Sequence, residues 1–347
     1  MKKSLLALAV AAALPAVAQA QSSVTLYGIA DTGVEYLNKA ASSTATAGVR
    51  LMDTSATWNG SRFGVRGVEP LGNSGLSAIF GLESRLGVDT GNTGGTLYTP
   101  ASASKSDNTQ FWNGVAFVGL RGGFGELTMG RQYTPGFYAW IASDFTANAG
   151  YQNWALISTP GMTGNASYGA VRADNSVMLT STLGGLTIRA MAAAGEGAQG
   201  AAGAASADVY GLAGIWALTK AITVTGFYHK LDAFTATTMD TSYGASAKLD
   251  LGSMGLTLGY SNLELQNGTD FDTIAGSAYL KVGKGTVFAN VHQVSASDNK
   301  DVLNLGLSYV HPLSNRTAIY LQGSRADQKD YGKGTPTRFG IGVNHTF

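Results

Sequence analysis

Residues 338–347 read RFGIGVNHTF. In an extended chain Phe339, Ile341 and Val343 fall on one face, and Phe347 stays in phase with them. Arg338, Gly340, Gly342, Asn344 and Thr346 fall on the other. Side chains of a strand alternate between its two faces, so a period of two predicts a strand with one apolar and one polar side. The pattern recurs upstream. GLSAIFGLESRLG (75–87) sets Leu76, Ala78, Phe80 and Leu82 against Ser77, Glu83 and Arg85. GLTIRAM (185–191) and AITVTGFYHK (221–230) alternate in the same way.

Between such segments lie seven short turn signals: LGNSGL (71–76), RGGFG (121–125), LGGL (183–186), ALTKA (217–221), LGSMGL (251–256), VGKG (282–285) and PLSN (312–315). Most carry Gly or Asn, which reach the positive φ that tight hairpins need. They alternate along the chain with longer polar connections, near 39–57, 89–110, 133–173, 196–207, 232–241, 266–271, 296–300 and 327–336. The resulting expectation is sixteen strands, near 23–37, 58–68, 76–87, 111–121, 125–132, 174–182, 186–195, 208–217, 221–231, 242–250, 255–265, 272–282, 285–295, 301–311, 316–326 and 337–347.

An even number of amphipathic strands of about ten residues, with short turns at one end and long loops at the other, predicts an all-β, 16-stranded antiparallel transmembrane barrel. Backbone groups in lipid must be bonded internally, so such a sheet has to close. About 16 strands leave an aqueous bore, whereas about 8 would be filled by side chains. A secreted sandwich would also alternate, but its core could not hold an unpaired polar face. Here one face carries Glu83, Arg85, Arg189, His229, Lys248 and His292, while the other is apolar without lysine or glutamate between. Tyr27, Tyr228, Tyr260, Tyr309, Tyr320 and Phe347 stand toward strand ends, where an interfacial aromatic girdle is expected.

Composition agrees. Charged residues are 13%, about half the usual ~25%, and glycine is abundant at 47 of 347. There are no cysteines, which excludes disulfides and thiolate metal sites. The opening MKKSLLALAVAAALPAVAQA has a basic start, an apolar stretch from Leu5 to Val17 and a small-x-small site at Ala18–Ala20. That predicts a secretory signal peptide over 1–20 and a mature barrel over 21–347. Without the two leader lysines the chain carries a formal net charge of −1, so no charge excess argues for nucleic acid.

The chain is similar to a known family. QSSVTLYGIADTGVEYLNK (21–39), SRFGVRGVEPLGNSGLSAIFGLE (61–83), FVGLRGGFGELTMGRQYTP (117–135), DNSV (174–177) and the terminal Phe347, in that order, resemble the trimeric general porins of Gram-negative bacteria, of the β-proteobacterial type. The resemblance implies a 16-stranded outer-membrane barrel, a homotrimer in lipid and lipopolysaccharide, and passive diffusion of small hydrophilic solutes. It also implies insertion by machinery that reads Phe347, and a third external loop folded into the pore.

That loop is RQYTPGFYAWIASDFTANAG (131–150), where strand alternation stops. Tyr133, Phe137, Tyr138 and Trp140 are expected to pack on the inner wall, leaving Asp144 to face the opening. Pro135 and Gly136 would turn the chain inward. Asp144 is the sole carboxylate between 127 and 173, and His345 replaces the aromatic often found two places before the terminal Phe of the family.

A porin selects by bore and by charge at its narrowest point. The candidate constriction residues are Arg62, Arg66, Arg85, Arg131 and Arg172, with Glu83 and Asp144 as the acids. Parity points Arg62, Arg66 and Arg85 inward, since Phe63, Val65 and Phe80 take the lipid face. Arg131 is in phase with Leu127 and Met129, so it must lie past the membrane band or beyond a bulge. Arginines outnumber acids, which predicts anion preference; pairing of those arginines with lumen carboxylates is the competing reading. His229, His292, His311 and His345 lie on different strands with no catalytic spacing, so no catalytic residue, cofactor or metal is expected. An adhesin or receptor barrel is the alternative function. EGAQGAAGAASAD (196–208) reads as a flexible external loop, and FDT (271–273) with DNKD (298–301) is too sparse for a cation site.

Overall fold

The computed structural model describes residues 22–38, 47–52, 57–93, 111–146, 149–150, 171–195, 208–232, 239–297, 301–327, 335 and 337–347. The leader region and the glycine-rich connection at 196–207 lie outside them.

Sixteen long strands form the sheet: β1 (Ser23–Leu37), β3 (Arg62–Pro70), β4 (Ser77–Arg85), β5 (Val115–Gly122), β6 (Gly125–Tyr133), β7 (Arg172–Leu183), β8 (Leu186–Ala193), β9 (Asp208–Ala217), β10 (Ile222–Asp232), β11 (Met239–Asp250), β12 (Met254–Leu265), β13 (Asp270–Val282), β14 (Gly285–Ala296), β15 (Val302–Pro312), β16 (Thr317–Asp327) and β17 (Thr337–Thr346). Each pairs antiparallel with the next, and β17 returns to β1 with Ile29 opposite Thr346 and Leu37 opposite Arg338. The ring is therefore closed, which removes the unpaired edge that no lipid could solvate.

The ring closes through two local devices. The ring of Phe347 occupies the space where Gly28 has no side chain, and Phe347 N–H donates to Gly28 O at 3.0 Å while Gly28 N–H donates to Phe347 O at 3.2 Å. On its other edge β1 pairs with β3 over Ser23–Ile29 and then with a short strand, β2 (Gly48–Leu51), over Val34–Leu37. Between these two ladders the Ser61 hydroxyl substitutes for a strand, accepting from Asp31 N–H at 2.9 Å and donating to Asp31 O at 2.8 Å.

The alternation resolves as expected. Phe339, Ile341 and Val343 are 60%, 55% and 46% exposed on the outside, where lipid would cover them. Asn344 is buried on the inside. The short turns sit at one end, as at Gly184–Gly185 between β7 and β8, with φ of +54° and +87°. Two of the expected girdle residues do not belong to it. Tyr27 turns inward and donates to Glu83 Oε2 at 3.3 Å, and Tyr320 is buried and donates to Asp31 Oδ1 at 2.8 Å. Both lie on the polar face of their strands, a parity that a count of aromatic residues ignores. Tyr228, Tyr260 and Phe347 are exposed on the outside.

The packed core lies inside the barrel because helix α1 (Pro135–Ser143) is folded into it. Phe137 and Trp140 of α1 pack against Met178, Met191, Ala213 and Phe227 of the inner wall. Beyond α1 the chain reaches a second cluster of Met52, Trp58, Ala149 and Tyr320, where Gly150 N–H donates to Trp58 O at 2.6 Å. Trp58 and Asn59 are tied to β1, through donation from Asn59 N–H to Asp31 Oδ2 at 2.7 Å. In a ring of sixteen, β9 and β10 lie opposite β1. Helix α1 and the pair Ala149–Gly150 thus touch opposite arcs and narrow the bore between them.

Candidate functional site: the constriction

The inward segment is a helix, which the sequence pattern did not disclose. All first-turn N–H groups of α1 are accounted for. Thr134 caps it, its Oγ1 accepting from Phe137 N–H at 3.3 Å and its carbonyl from Tyr138 N–H at 3.2 Å. Pro135 has no N–H to satisfy. Gly136 N–H donates to His229 Nε2 of β10 at 2.9 Å. A Cβ on Gly136 would meet that imidazole at 2.7 Å, so the backbone approaches the wall only because no side chain is there. With Nε2 accepting, the proton resides on Nδ1, which is buried without a partner.

At the other end, Thr257 Oγ1 donates to Ser143 O at 2.9 Å, and Lys248 Nζ lies 3.3 Å from Ala142 O. A lysine at the last carbonyls also complements the negative end of the helix dipole. The Ser143 hydroxyl joins those of Thr225 and Ser246 on the wall. Burial raises the pKa of the Tyr138 hydroxyl, so it remains neutral beneath the Arg189 guanidinium, which lies 3.8 Å from its ring centre.

Asp144 does not face the opening. It is 2% exposed, and its carboxylate turns back on the chain, accepting from Thr146 N–H at 2.9 Å and Thr146 Oγ1 at 2.7 Å. An Asx turn after a helix satisfies the carboxylate locally. Of the two places parity allows Arg131, it takes the bulge: the β6–β7 register shifts between Gly130 and Gln132, opposite Asn175 at φ +51°. There Arg131 Nη1 pairs with Asp174 Oδ1 at 2.6 Å and its Nε donates to Asn113 O at 3.0 Å.

Arg62, Arg85 and Arg172 converge, and Arg66 stands apart from them. Arg62 and Arg85 are direct cross-strand partners on β3 and β4, and Gly64 and Glu83 are the next pair on the same face. Like charges placed opposite each other cost stability, so the strand pairing breaks a local rule here. Arg85 Nε pairs with Glu83 Oε1 at 3.1 Å. Arg85 Nη2 and Arg172 Nη2 both donate to the Tyr133 hydroxyl, at 2.7 and 2.9 Å. Arg62 donates through Nη2 to Asn59 O and through Nε to Gly60 O at 3.3 Å. Arg66 sits over the Tyr27 ring at 5.3 Å. Among the described residues no carboxylate lies within ion-pair distance of Arg62, Arg66 or Arg172. Sequence reasoning placed Tyr133 as wall packing and missed its hydroxyl as a shared acceptor. Its spacing from Arg85 and Arg172 holds no signal, because the three meet only when β4, β6 and β7 curve into one wall.

Comparison with known proteins places this architecture. Residues 7–331 match the family model described as Gram-negative porin. Outer membrane porin protein 32 of Delftia acidovorans is 31% identical over 339 residues, covering 92% of this chain and 88% of that protein. Major outer membrane protein P.IB of Neisseria meningitidis serogroup B is 38% identical over 131 residues, 38% of this chain and 34% of that protein. Among solved structures, the anion-selective porin from Comamonas acidovorans superposes with a TM-score of 0.74 at 23% identity, over 94% of this chain and all of that one. The trimer form of OmpT from Vibrio cholerae gives a TM-score of 0.63 at 15% identity, over 94% and 99%.

Proposed function

The chain belongs to the Gram-negative porin family and forms a water-filled outer-membrane channel, and from that premise we propose that the channel prefers anions. One observation carries the proposal. Arg62 stands opposite Arg85, which shares the Tyr133 hydroxyl at the root of α1 with Arg172, while Arg66 lies further along β3 over Tyr27; of these four arginines only Arg85 has a carboxylate, Glu83, in reach among the described residues. Pairing with carboxylates, the competing reading, describes Arg85 and Arg131 and leaves the charges of Arg62, Arg66 and Arg172 uncancelled among the described residues. Guanidinium stays ionised at any working pH. In a narrow bore, less screening than bulk water, a few such charges set the sign of the permeant ion. Arg131 and Asp144 act as supports, the first held by Asp174 and the second folded onto Thr146. The likeness to the Comamonas acidovorans porin, itself anion-selective, supports the same sign.

Around this core stand further parts of the reading. The protein works as a homotrimer in lipid and lipopolysaccharide, a leader is cleaved near Ala20, Phe347 is read during insertion, and no covalent chemistry is performed. The decisive experiment is a planar-bilayer recording under a salt gradient. Chloride-selective reversal potentials in large ohmic steps grouped in threes are expected, and Arg62→Ala should lower the preference. A reversal potential of cation-selective sign would falsify the charge assignment.

A further inference from the structure

Arg85 and Arg172 carry like charges, yet both aim a guanidinium N–H at one oxygen. That oxygen is the Tyr133 hydroxyl, 2.7 Å from Arg85 Nη2 and 2.9 Å from Arg172 Nη2. The two arginines are unequal. Arg85 has a second acceptor in Glu83 at 3.1 Å. Arg172 has no carboxylate in reach among the described residues, and its Nε is buried without a partner. Its polar anchor is the Tyr133 hydroxyl, together with the face of the Tyr133 ring, 4.5 Å below the guanidinium carbon. Tyr133 itself is well fixed. Its ring stacks on Phe137 of α1 at 4.5 Å with an interplanar angle of 11°, and meets Tyr138 edge-on at 6.1 Å.

Two positive groups near one neutral oxygen stay together only while that oxygen accepts from both. Hydrogen bonds from charged donors are about twice as strong as neutral ones, and they fix direction as well as distance. We propose that Tyr133 is a positioning residue for ion selection: its hydroxyl holds Arg172 beside Arg85, and the anion preference of the pore depends on that placement. The inference rests on the anion reading above and extends it from the charges to the neutral group that aims them. It also gives α1 a second role. By stacking on Phe137, Tyr133 couples the docking of the helix to the placement of charge in the bore.

The test separates the hydroxyl from the ring. Tyr133→Phe keeps the stacking on Phe137 and the face under Arg172, and removes only the acceptor. In bilayers at about 0.1 M salt, where the screening length is roughly 10 Å, the anion-to-cation permeability ratio should fall about twofold or more. At about 1 M, where that length is roughly 3 Å, the difference from wild type should largely vanish. The temperature at which the folded barrel is lost on heating should stay as in wild type. Arg172→Gln should lower the ratio by a similar factor. The double variant should be no less selective than Arg172→Gln alone, since residues acting through one another are not additive. If wild type is anion-selective and Tyr133→Phe matches it at low salt, this proposal is overturned and the anion reading stands. Fully additive losses in the double variant overturn it as well. A wild-type channel without anion preference overturns both.

Discussion

Removing the acceptor at His229 should loosen the pore helix while the barrel stays intact. The perturbation is a matched pair, His229→Met and His229→Gln. The two side chains are close in volume, but only glutamine keeps an oxygen that can accept. In the native protein Gly136 N–H donates to His229 Nε2 at 2.9 Å, and both groups are buried. The other N–H groups of that first turn have partners in Thr134, and Pro135 has none to satisfy. The methionine variant therefore leaves one buried N–H unsatisfied, a cost of about 1–3 kcal/mol. At 1.4 kcal/mol per tenfold, that raises the undocked population of the helix start by roughly 5- to 150-fold. Barrel closure involves other residues, so folding should survive. Single-channel recordings are the assay. His229→Met should show added open-level noise and brief excursions to other conductance levels, with His229→Gln closer to wild type. Equal, quiet traces from both variants would refute the view that this hydrogen bond seats the constriction.

Two more outcomes follow from the geometry. Gly342→Ala should destabilise the barrel by about 1–3 kcal/mol, because a Cβ there meets the Tyr320 hydroxyl and, at 2.7 Å, Thr32 O. The Tyr320–Asp31 hydrogen bond would be displaced with it, and a lowered temperature of heat-induced gel-shift is the measurement. The chain purified from outer membranes should begin at Gln21; N-terminal sequencing that reads Met1 would contradict a cleaved leader.

Most strands were legible because their signals are local. Alternation over ten residues and turn chemistry over four place β9 at 208–217, the same bounds that the structure gives. Parity puts Arg131 either past the membrane band or beyond a bulge, and the register does shift between Gly130 and Gln132. Failures occurred where a signal needs a partner distant in sequence. The start of β3 lies at Arg62 and not near 58, because Trp58 and Asn59 are taken up by Asp31 of β1 and by Gly150. Helix α1 has no amphipathic stripe, since Pro135, Phe137, Ala139 and Trp140 are all buried between it and the wall. Asp144 looked like the exposed acid of a loop tip and is instead consumed by Thr146 two residues on.

From the sequence alone follow a closed sheet of sixteen amphipathic strands, short turns gathered at one end, and the lipid face of strands whose alternation is regular, such as 339–343. Those properties follow from a side-chain period of two and from backbone groups that must be bonded in a medium without water. Which charges stand together is set by tertiary structure alone. Arg62 and Arg85 become neighbours through pairing of β3 with β4, Arg172 reaches them through Tyr133, and Arg131 and Asp144 leave the set by finding partners of their own. Whether a charge is free or cancelled depends on groups within a few ångströms of it, and chain order does not encode that distance.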